Sequence, residues 1–563
     1  MESTLNHTFV DHSIEILLKH KKEWAQLLIA EKVHLLKSTL QNVSTVAEDW
    51  VSLSVNHKKI DPKSQAVGEI WGGEIWGLAA TIQDYILTLN NIIENGYPSM
   101  PRVSMKENGQ MAINIFPANP IESLLMHRVQ AEVWMQPHIS EETLPEKLGV
   151  FYQLVNPEGI IALVLGAGNN NAIPLLDSLY SLIAKGEVVL LKLNPVNDYM
   201  ISIYERVMSA FIEAGYLQII KGDEPIAEYL VTHDDLDEIL LTGSYRTYNK
   251  IINRLNSAQK SNSSRSKPVE GQLGSVTPLI VIPGNWSKQD LAFQAENIIS
   301  SKLHNSGHNC ISTQILVLPK AWNLKNDLIE AIRNLLTNLP ARKTYYPGTE
   351  ERYQQAIAGN PQVETFNGDV PVTLIYALDP ENENEYCFKN EVYAPVLGLV
   401  ELPSEDIPGY FRSAVNFCNQ KLFGNLGCTL IIDSEQQALY QEQLEWALQE
   451  LQYGTIGVNI WNAFAFLLPK APWGPYPDSE NIQSGNGVTH NALFMEGTEK
   501  TILKAPFRSW PHSFRQGEFS LLPRHPWMVN NRYGADINRK MAWFALEQKL
   551  TKLPGLIWSA MRG

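Results

Sequence analysis

The sequence predicts an α/β protein built on a doubly wound, mostly parallel sheet. Short apolar runs alternate with helical patterns from about residue 160 to 255, the order that a parallel sheet with crossover helices requires. Ile160–Leu165 is a short, wholly apolar run that leads straight into a loop rich in glycine and asparagine, then a helix and a second apolar run, a βαβ unit. The chain is 563 residues long, with 44% hydrophobic and 19% charged residues, which suits two or three globular domains with a large core.

The elements follow in order. Residues 11–95 read as packing helices: Ile14, Leu17, Leu18, Trp24, Leu27 and Leu28 recur at helical spacing, and Val67–Leu89 gives another helix stopped by Asn95-Gly96-Tyr97-Pro98. Met111–Phe116, Val129–Met135 and Val150–Val155 read as strands. After Ile160–Leu165 come the loop Gly166-Ala167-Gly168-Asn169-Asn170-Asn171-Ala172-Ile173-Pro174, a helix over Leu175–Lys185 closed by Gly186, and the strand Glu187–Lys192. A helix over Tyr199–Ala214, a strand at Leu217–Ile220, a helix at Ile226–Thr232 and a strand at Glu238–Leu241 continue the alternation. That strand ends in Thr242-Gly243-Ser244 at the start of a helix over Tyr245–Leu255, where N–H groups and the helix dipole favour an anion. Residues 257–267 are polar and read as a surface loop. Strands are expected at Leu279–Ile282, Ile315–Leu318 and Val372–Tyr376, with helices at Leu291–Ile299 and 322–337.

Several functions are excluded early. A formal net charge of −15 argues against nucleic acid as a partner. The four cysteines, Cys310, Cys387, Cys418 and Cys428, form no CxxC pair, so a zinc cluster is not expected. So few in so long a chain fit a reducing, cytoplasmic setting. The amino-terminal residues lack the apolar core of a secretory signal, and no run reaches the length of a membrane span.

Cys310 stands in the polar stretch Ser301–Thr313, between a helix and an apolar strand. Such a link can hold a sulfur at a cleft edge with backbone N–H groups turned to a reacting oxygen, and a thiolate attacks carbonyls well once its pKa is lowered. The alternative is a buried, inert cysteine.

Seven motifs in order resemble the aldehyde dehydrogenase superfamily over residues 110–500: the loop ending in Pro174, Val188–Lys192, Thr242-Gly243-Ser244, Gln272–Pro278, Asn305–Cys310, Lys389–Val396 and Gly454–Asn459. The resemblance implies a Rossmann-like cofactor domain, an α/β catalytic domain and a small oligomerisation element. The boundaries expected are 1–270, with a hairpin near 127–150, then 271–460 and 461–563. It implies NAD- or NADP-dependent oxidation of an aldehyde through a thiohemiacetal and a thioester on Cys310. It also implies a homodimer or homotetramer, with Val129–Met135 set against Ala492–Met495. Asn171, or else Asn170, would join the Cys310 N–H in an oxyanion hole. Lys192 would meet the adenosine ribose, Gly243 and Ser244 the pyrophosphate, and Glu391 and Tyr393 the nicotinamide ribose. Gly166 and Asn169 would lie along the cofactor.

The sequence departs from the family pattern at three places. The family's general base is a glutamate where this chain has Gln272, and an amide takes no proton from water near neutral pH. Glu270, two residues earlier on the same face of an extended segment, would stand in or be a surface charge. Losing the base opens transfer of the acyl group to coenzyme A, an acyl reductase, or a silent nucleotide binder. Pro195 replaces a glutamate that repels the 2′-phosphate, so NADP is expected to be accepted. The tail from Arg508 to Gly563 is expected to pack on the body or a neighbouring subunit rather than act as an amphipathic membrane anchor. Trp461, Phe464 and Phe466 suggest either an apolar substrate tunnel or plain core.

Overall fold

Strands with no polar face must be covered on both sides, and Ile161–Leu165 is buried at every residue. In this computed structural model, which describes residues 2–260, 266–478, 481–515 and 517–563, it is the middle strand of a five-stranded parallel sheet. The order is Leu217–Ile220, Val188–Lys192, Ile161–Leu165, Glu238–Gly243 and Val269–Leu273. The order reverses direction beside Ile161–Leu165, which opens a crevice at the carboxyl ends of the strands.

A second sheet has eleven strands, in the order Val103–Met105, Met111–Phe116, Gln130–Met135, Thr498–Lys504, Thr455–Val458, Gly427–Ile431, Thr277–Val281, Thr313–Pro319, Val396–Leu402, Val372–Leu378 and Val363–Phe366. Its centre is parallel and its ends are antiparallel. The change of sheet falls between Leu273 and Thr277, so the expected boundary at 270/271 lies inside a strand. Gln130–Met135 pairs with Thr498–Lys504. The expected partner, 492–495, contributes a single bridge from Met495 to Leu148 instead.

Other expectations shift for local reasons. The apolar run at 150–155 forms a short helix, Val150–Gln153, entered through Gly149 in the left-handed region at φ 63°. The helix expected over 199–214 breaks at Met208 into Ile201–Val207 and Ser209–Glu213. The helix from Tyr245 runs on to Lys260, and 261–265 of the expected surface loop lie outside the described residues.

The amino-terminal helices Glu2–Gln26 and Ile29–His57 cover the five-stranded sheet. Val67–Ile70 then widens into a π-helical turn, Trp71–Trp76, before Gly77–Asn95. That turn carries Glu74 into the core, where it accepts from Lys58 Nζ (2.8 Å), Trp50 Nε1 (2.7 Å) and Ser54 Oγ (3.3 Å). Lys58 and Glu74 side chains are 4% and 1% exposed, so neither charge has water to fall back on. Lys58 also donates to the Asn169 carbonyl (2.8 Å), tying these helices to the loop after Leu165.

The tail packs on the body. Arg508 pairs with Asp290 (2.8 Å) and Glu518 (2.6 Å), and Arg524 with Glu296 (2.9 Å). Asp290 and Glu296 both lie on the helix Lys288–Leu303 that leads towards Cys310. Gly68 and Gly72 let the tail helix Gly534–Glu547 approach closely: a Cβ at these positions would meet Gly534 O at 2.8 Å and Asn538 Oδ1 at 2.4 Å. Among the described residues no helix is long and apolar enough to cross a membrane.

Removing one partner of the buried pair strands the other charge. Glu74→Ala is expected to cost about 3–5 kcal/mol, read as a lower denaturant midpoint. Glu74→Leu combined with Lys58→Met should cost less than the two single changes summed.

Candidate active site

The link before Cys310 is held in an unusual backbone conformation. Asn305, Ser306 and Gly307 all take left-handed φ values of 53°, 54° and 81°, and two consecutive non-glycine residues there need outside support. Glu69 Oε2 accepts from the Asn305 N–H (2.7 Å), Ser306 Oγ donates to Lys343 O (2.9 Å), and Asn305 Nδ2 donates to Asn169 O (3.1 Å) and His308 O (3.0 Å). Tyr345 OH donates to Asn169 O (2.8 Å). At Gly307 a Cβ would meet the Ala394 carbonyl at 2.8 Å, so no side chain fits.

Cys310 is half-buried and lines a cavity of about 80 Å³ with Glu69, Asn169, Asn170, His304, Trp461 and Phe464. Asn169 Nδ2 donates to His308 O (3.1 Å) and Asn170 Nδ2 to Gly73 O (3.2 Å), which leaves each amide a second hydrogen. Asn171 is placed otherwise than expected. It is fully buried, and its amide donates to Ser54 Oγ (2.8 Å) and Tyr199 OH (3.1 Å), so both hydrogens are spent away from Cys310.

Neither Gln272 nor Glu270 lines this cavity. Both stand beside Gly487, as the strand periodicity required. Glu270, however, lies at the amino end of its strand and pairs with Lys185 (3.3 Å), which also binds Glu238. Its carboxylate is therefore committed elsewhere. The cavity instead takes its carboxylate from Glu69 and an imidazole from His304. The helical pattern of residues 67–89 hid Glu69 among packing residues, and the Trp71-Gly72-Gly73-Glu74 run was the only local signal of an irregular turn there.

Electrostatics keep the resting sulfur neutral. Burial, and then Glu391, push the Cys310 thiol up to about 12, although the N–H groups of Cys310 and Ile311 favour the thiolate. Burial raises Glu391 to about 8 despite Arg352 and Lys302, and it lowers Lys302 to about 7. Burial pushes the Glu69 carboxyl up, but Arg342, His304 and the Asn305 N–H outweigh it and hold the group below its usual range. Arg342 Nη1 sits 2.7 Å from Glu69 Oε1. Burial lowers His304, and its Nδ1 accepts from Asn309 Nδ2 (3.1 Å), which also donates to His304 O.

A dinucleotide fits the residues at the crevice. Lys192, at the carboxyl end of its strand, is 7% exposed, yet its ammonium has no hydrogen-bond partner among the described residues. Gly166 N donates to Lys192 O (3.1 Å) and holds the loop against that strand end. Gly243 and Ser244 are exposed at the start of Tyr245–Lys260, and Ser244 Oγ accepts from the Thr247 N–H (3.1 Å). Glu391 Oε1 and Gln272 Nε2 are buried without hydrogen-bond partners among the described residues. A Cβ on Gly274 would meet Glu391 Oε2 at 2.0 Å, so the glycine is what lets that carboxylate approach. Tyr393 packs its ring 5.0 Å from Tyr346 and 5.6 Å from His308. Burial lowers Lys192, while Asp223 and Asp198 oppose that shift. The fold thus brings two carboxylates to bear on the lysine, although position 195 carries none.

The aldehyde dehydrogenase family model matches residues 79–481. The dimeric NADP-preferring aldehyde dehydrogenase of Mus musculus is 23% identical over 279 residues, 47% of this chain and 56% of the relative. Peroxisomal aminoaldehyde dehydrogenase 2 of Pisum sativum is 25% identical over 279 residues, 46% and 50% of the two chains. The chain thus spans about half the length of these curated relatives. Among solved structures, glyceraldehyde-3-phosphate dehydrogenase of Methanocaldococcus jannaschii complexed with NADP superposes with a TM-score of 0.59 at 15% identity, covering 88% of this chain and 93% of that one. The NAD-dependent aldehyde dehydrogenase from Sinorhizobium meliloti gives 0.56 at 15% identity, covering 88% and 86%. These likenesses carry the fold.

Because the sulfur is protonated at neutral pH, its alkylation by iodoacetamide should climb about tenfold per pH unit from 7 to 10 without a plateau. Glu391→Gln removes a charge that is present only above about pH 8. The variant should therefore label faster than wild type above pH 8 and equally below pH 7, as followed by peptide mass at Cys310.

Proposed function

The chain belongs to the aldehyde dehydrogenase family, and on that premise we propose that it oxidises an aldehyde with NAD or NADP as hydride acceptor. One observation carries the reading: Cys310 shares a cavity with two asparagine amides and a carboxylate, at the end of a backbone turn held by outside contacts. Cys310 gives up its thiol proton to solvent, the sulfur attacks the carbonyl carbon, and a C–S bond forms as the C=O π bond breaks. The carbonyl oxygen takes up negative charge, which the Cys310 N–H and the spare hydrogens of Asn169 and Asn170 meet. When bound, the nicotinamide supplies the two-electron acceptor for the hydride that leaves the carbon. Lys192, Gly243, Ser244, Glu391 and Tyr393 are the residues proposed to hold that cofactor. A thioester remains on Cys310. Water then attacks its carbonyl, the C–S bond breaks, and the acid leaves. Glu69 is the proposed acceptor of the water proton, a role that an amide at 272 does not fill.

A second reading is favoured by the hold that Arg342 and the Asn305 N–H keep on Glu69. These contacts weaken it as a base, and a thiol such as coenzyme A would then resolve the thioester. Mixing enzyme with aldehyde and NAD should give a burst of NADH of about one per active site. Glu69→Gln should keep the burst and slow later turnover by at least about a hundredfold. An unchanged steady state with Glu69→Gln would remove it as the base, and stimulation by coenzyme A would favour the second reading. Cys310→Ala should abolish the burst.

Asp198 and Asp223 move the cofactor expectation towards NAD, because like charge opposes a 2′-phosphate. Initial rates should give a kcat/KM at least about tenfold higher with NAD than with NADP, and Asp223→Asn should narrow that gap.

A further inference from the structure

Beside the Cys310 cavity lies a much larger one, of about 870 Å³. The two share Gly72, Phe464, Leu467, Trp527 and Asn538 in their walls and so adjoin. The larger space lies between the helix Gly77–Asn95 and the tail, from which Met541, Phe544, Leu550 and Leu556 contribute apolar walls. Leu87 and Leu550 line it and are 50% and 65% exposed, which marks the mouth. Among the described lining residues none is lysine, arginine or histidine, while Asp84 and Glu122 are present. Asp84 stands 3.9 Å from Lys470, which lies outside the lining, so an anionic chain end meets Glu122 and a paired carboxylate rather than a lining cation. At about 30 Å³ per water the space equals roughly thirty waters, far more than a short aldehyde fills.

We propose that the substrate carbonyl is borne on a long, uncharged alkyl chain, which enters past Leu87 and Leu550 and lies along the tail with its carbonyl at Cys310. The tail is the wall that selects this substrate class. Its Trp527 is held at the junction by stacking on His525 (4.6 Å between ring centroids) and by a tilted contact with Phe464 (5.5 Å). Asn538, at the same junction, is fixed by donating to Gly534 O (2.9 Å) and Pro526 O (3.2 Å). This inference rests on Cys310 being the group that meets the carbonyl, so its test uses two readouts.

The first readout is kcat/KM for straight-chain aldehydes from four to sixteen carbons, each below its micelle concentration. It should rise about threefold to fourfold per methylene well beyond six carbons. An aldehyde with a terminal carboxylate should lose at least about a hundredfold against its methyl-ended equivalent. The second readout needs no turnover: the rate of Cys310 alkylation by N-alkyl iodoacetamides, which should rise with alkyl length. Ala80→Phe, on the helix wall, and Met541→Asp, on the tail, should each lower the ratio of long-chain to short-chain rates at least about tenfold in both readouts. A flat series in the alkylation readout, or variants that leave its ratio unchanged, would overturn the proposal. If no aldehyde is turned over but alkylation still follows chain length, the oxidation reading fails and the channel stands.

Discussion

The carbonyl of Asn169 accepts from Lys58 Nζ, Tyr345 OH and Asn305 Nδ2 at 2.8, 2.8 and 3.1 Å. The rest of the site depends on this convergence. The donors come from an amino-terminal helix end, the segment after the helix Lys325–Asn338, and the turn before Cys310. One oxygen therefore fixes the loop after the first buried strand relative to the sulfur and to the helices that cover the sheet. The strongest donor is the Lys58 ammonium, which also pairs with the buried Glu74 at 2.8 Å. Without that pair the loop would lose its charged strap, and the left-handed turn at Asn305 and Ser306 would lose part of what holds it.

Much of the fold was legible because burial imposes a period on the chain. A strand covered on both faces has to be apolar along its buried length, and Ile161–Leu165 and 188–191 carried that mark. The Cys310 link was legible for the opposite reason, since a polar stretch between two apolar elements sits at an edge. Side-chain direction within loops was not legible. Asn169, Asn170 and Asn171 are chemically identical, and only the backbone path turns the first two towards Cys310 and the third into the core. For Glu270 the strand rule held, but the rule concerns the face of a strand and not distance along it. Glu69 was hidden because its helix is apolar enough to read as packing, and the π-helical turn that follows it leaves only a pair of glycines as a trace.

The tail shows how one segment can be opaque in sequence and clear in structure. Its apolar residues have no single period, because they face several surfaces at once. Gly534, Ala535 and Asn538 seat on Gly68 and Gly72, while Met541 and Phe544 of the same helix turn towards a cavity. Its charges are equally divided, with Arg508 and Arg524 bonded to the helix that leads to the sulfur. An amphipathic anchor would segregate these features on two faces of one helix, whereas a packed strap intermixes them.

The apolar wall also bears on the chemistry of Cys310. Removing water from the sulfur is the first cause of its high pKa, and the neighbouring Glu391 charge is the second. The same dryness that suits an alkyl chain therefore keeps the thiol protonated at rest. A protonated thiol is slow to react with adventitious oxidants and electrophiles. Attack on a carbonyl then draws on the N–H groups of Cys310 and Ile311, which favour the thiolate against that burial. The site thus separates its two requirements in space, with polar donors on the side of the five-stranded sheet and apolar burial on the side of the tail, and Cys310 stands where they meet.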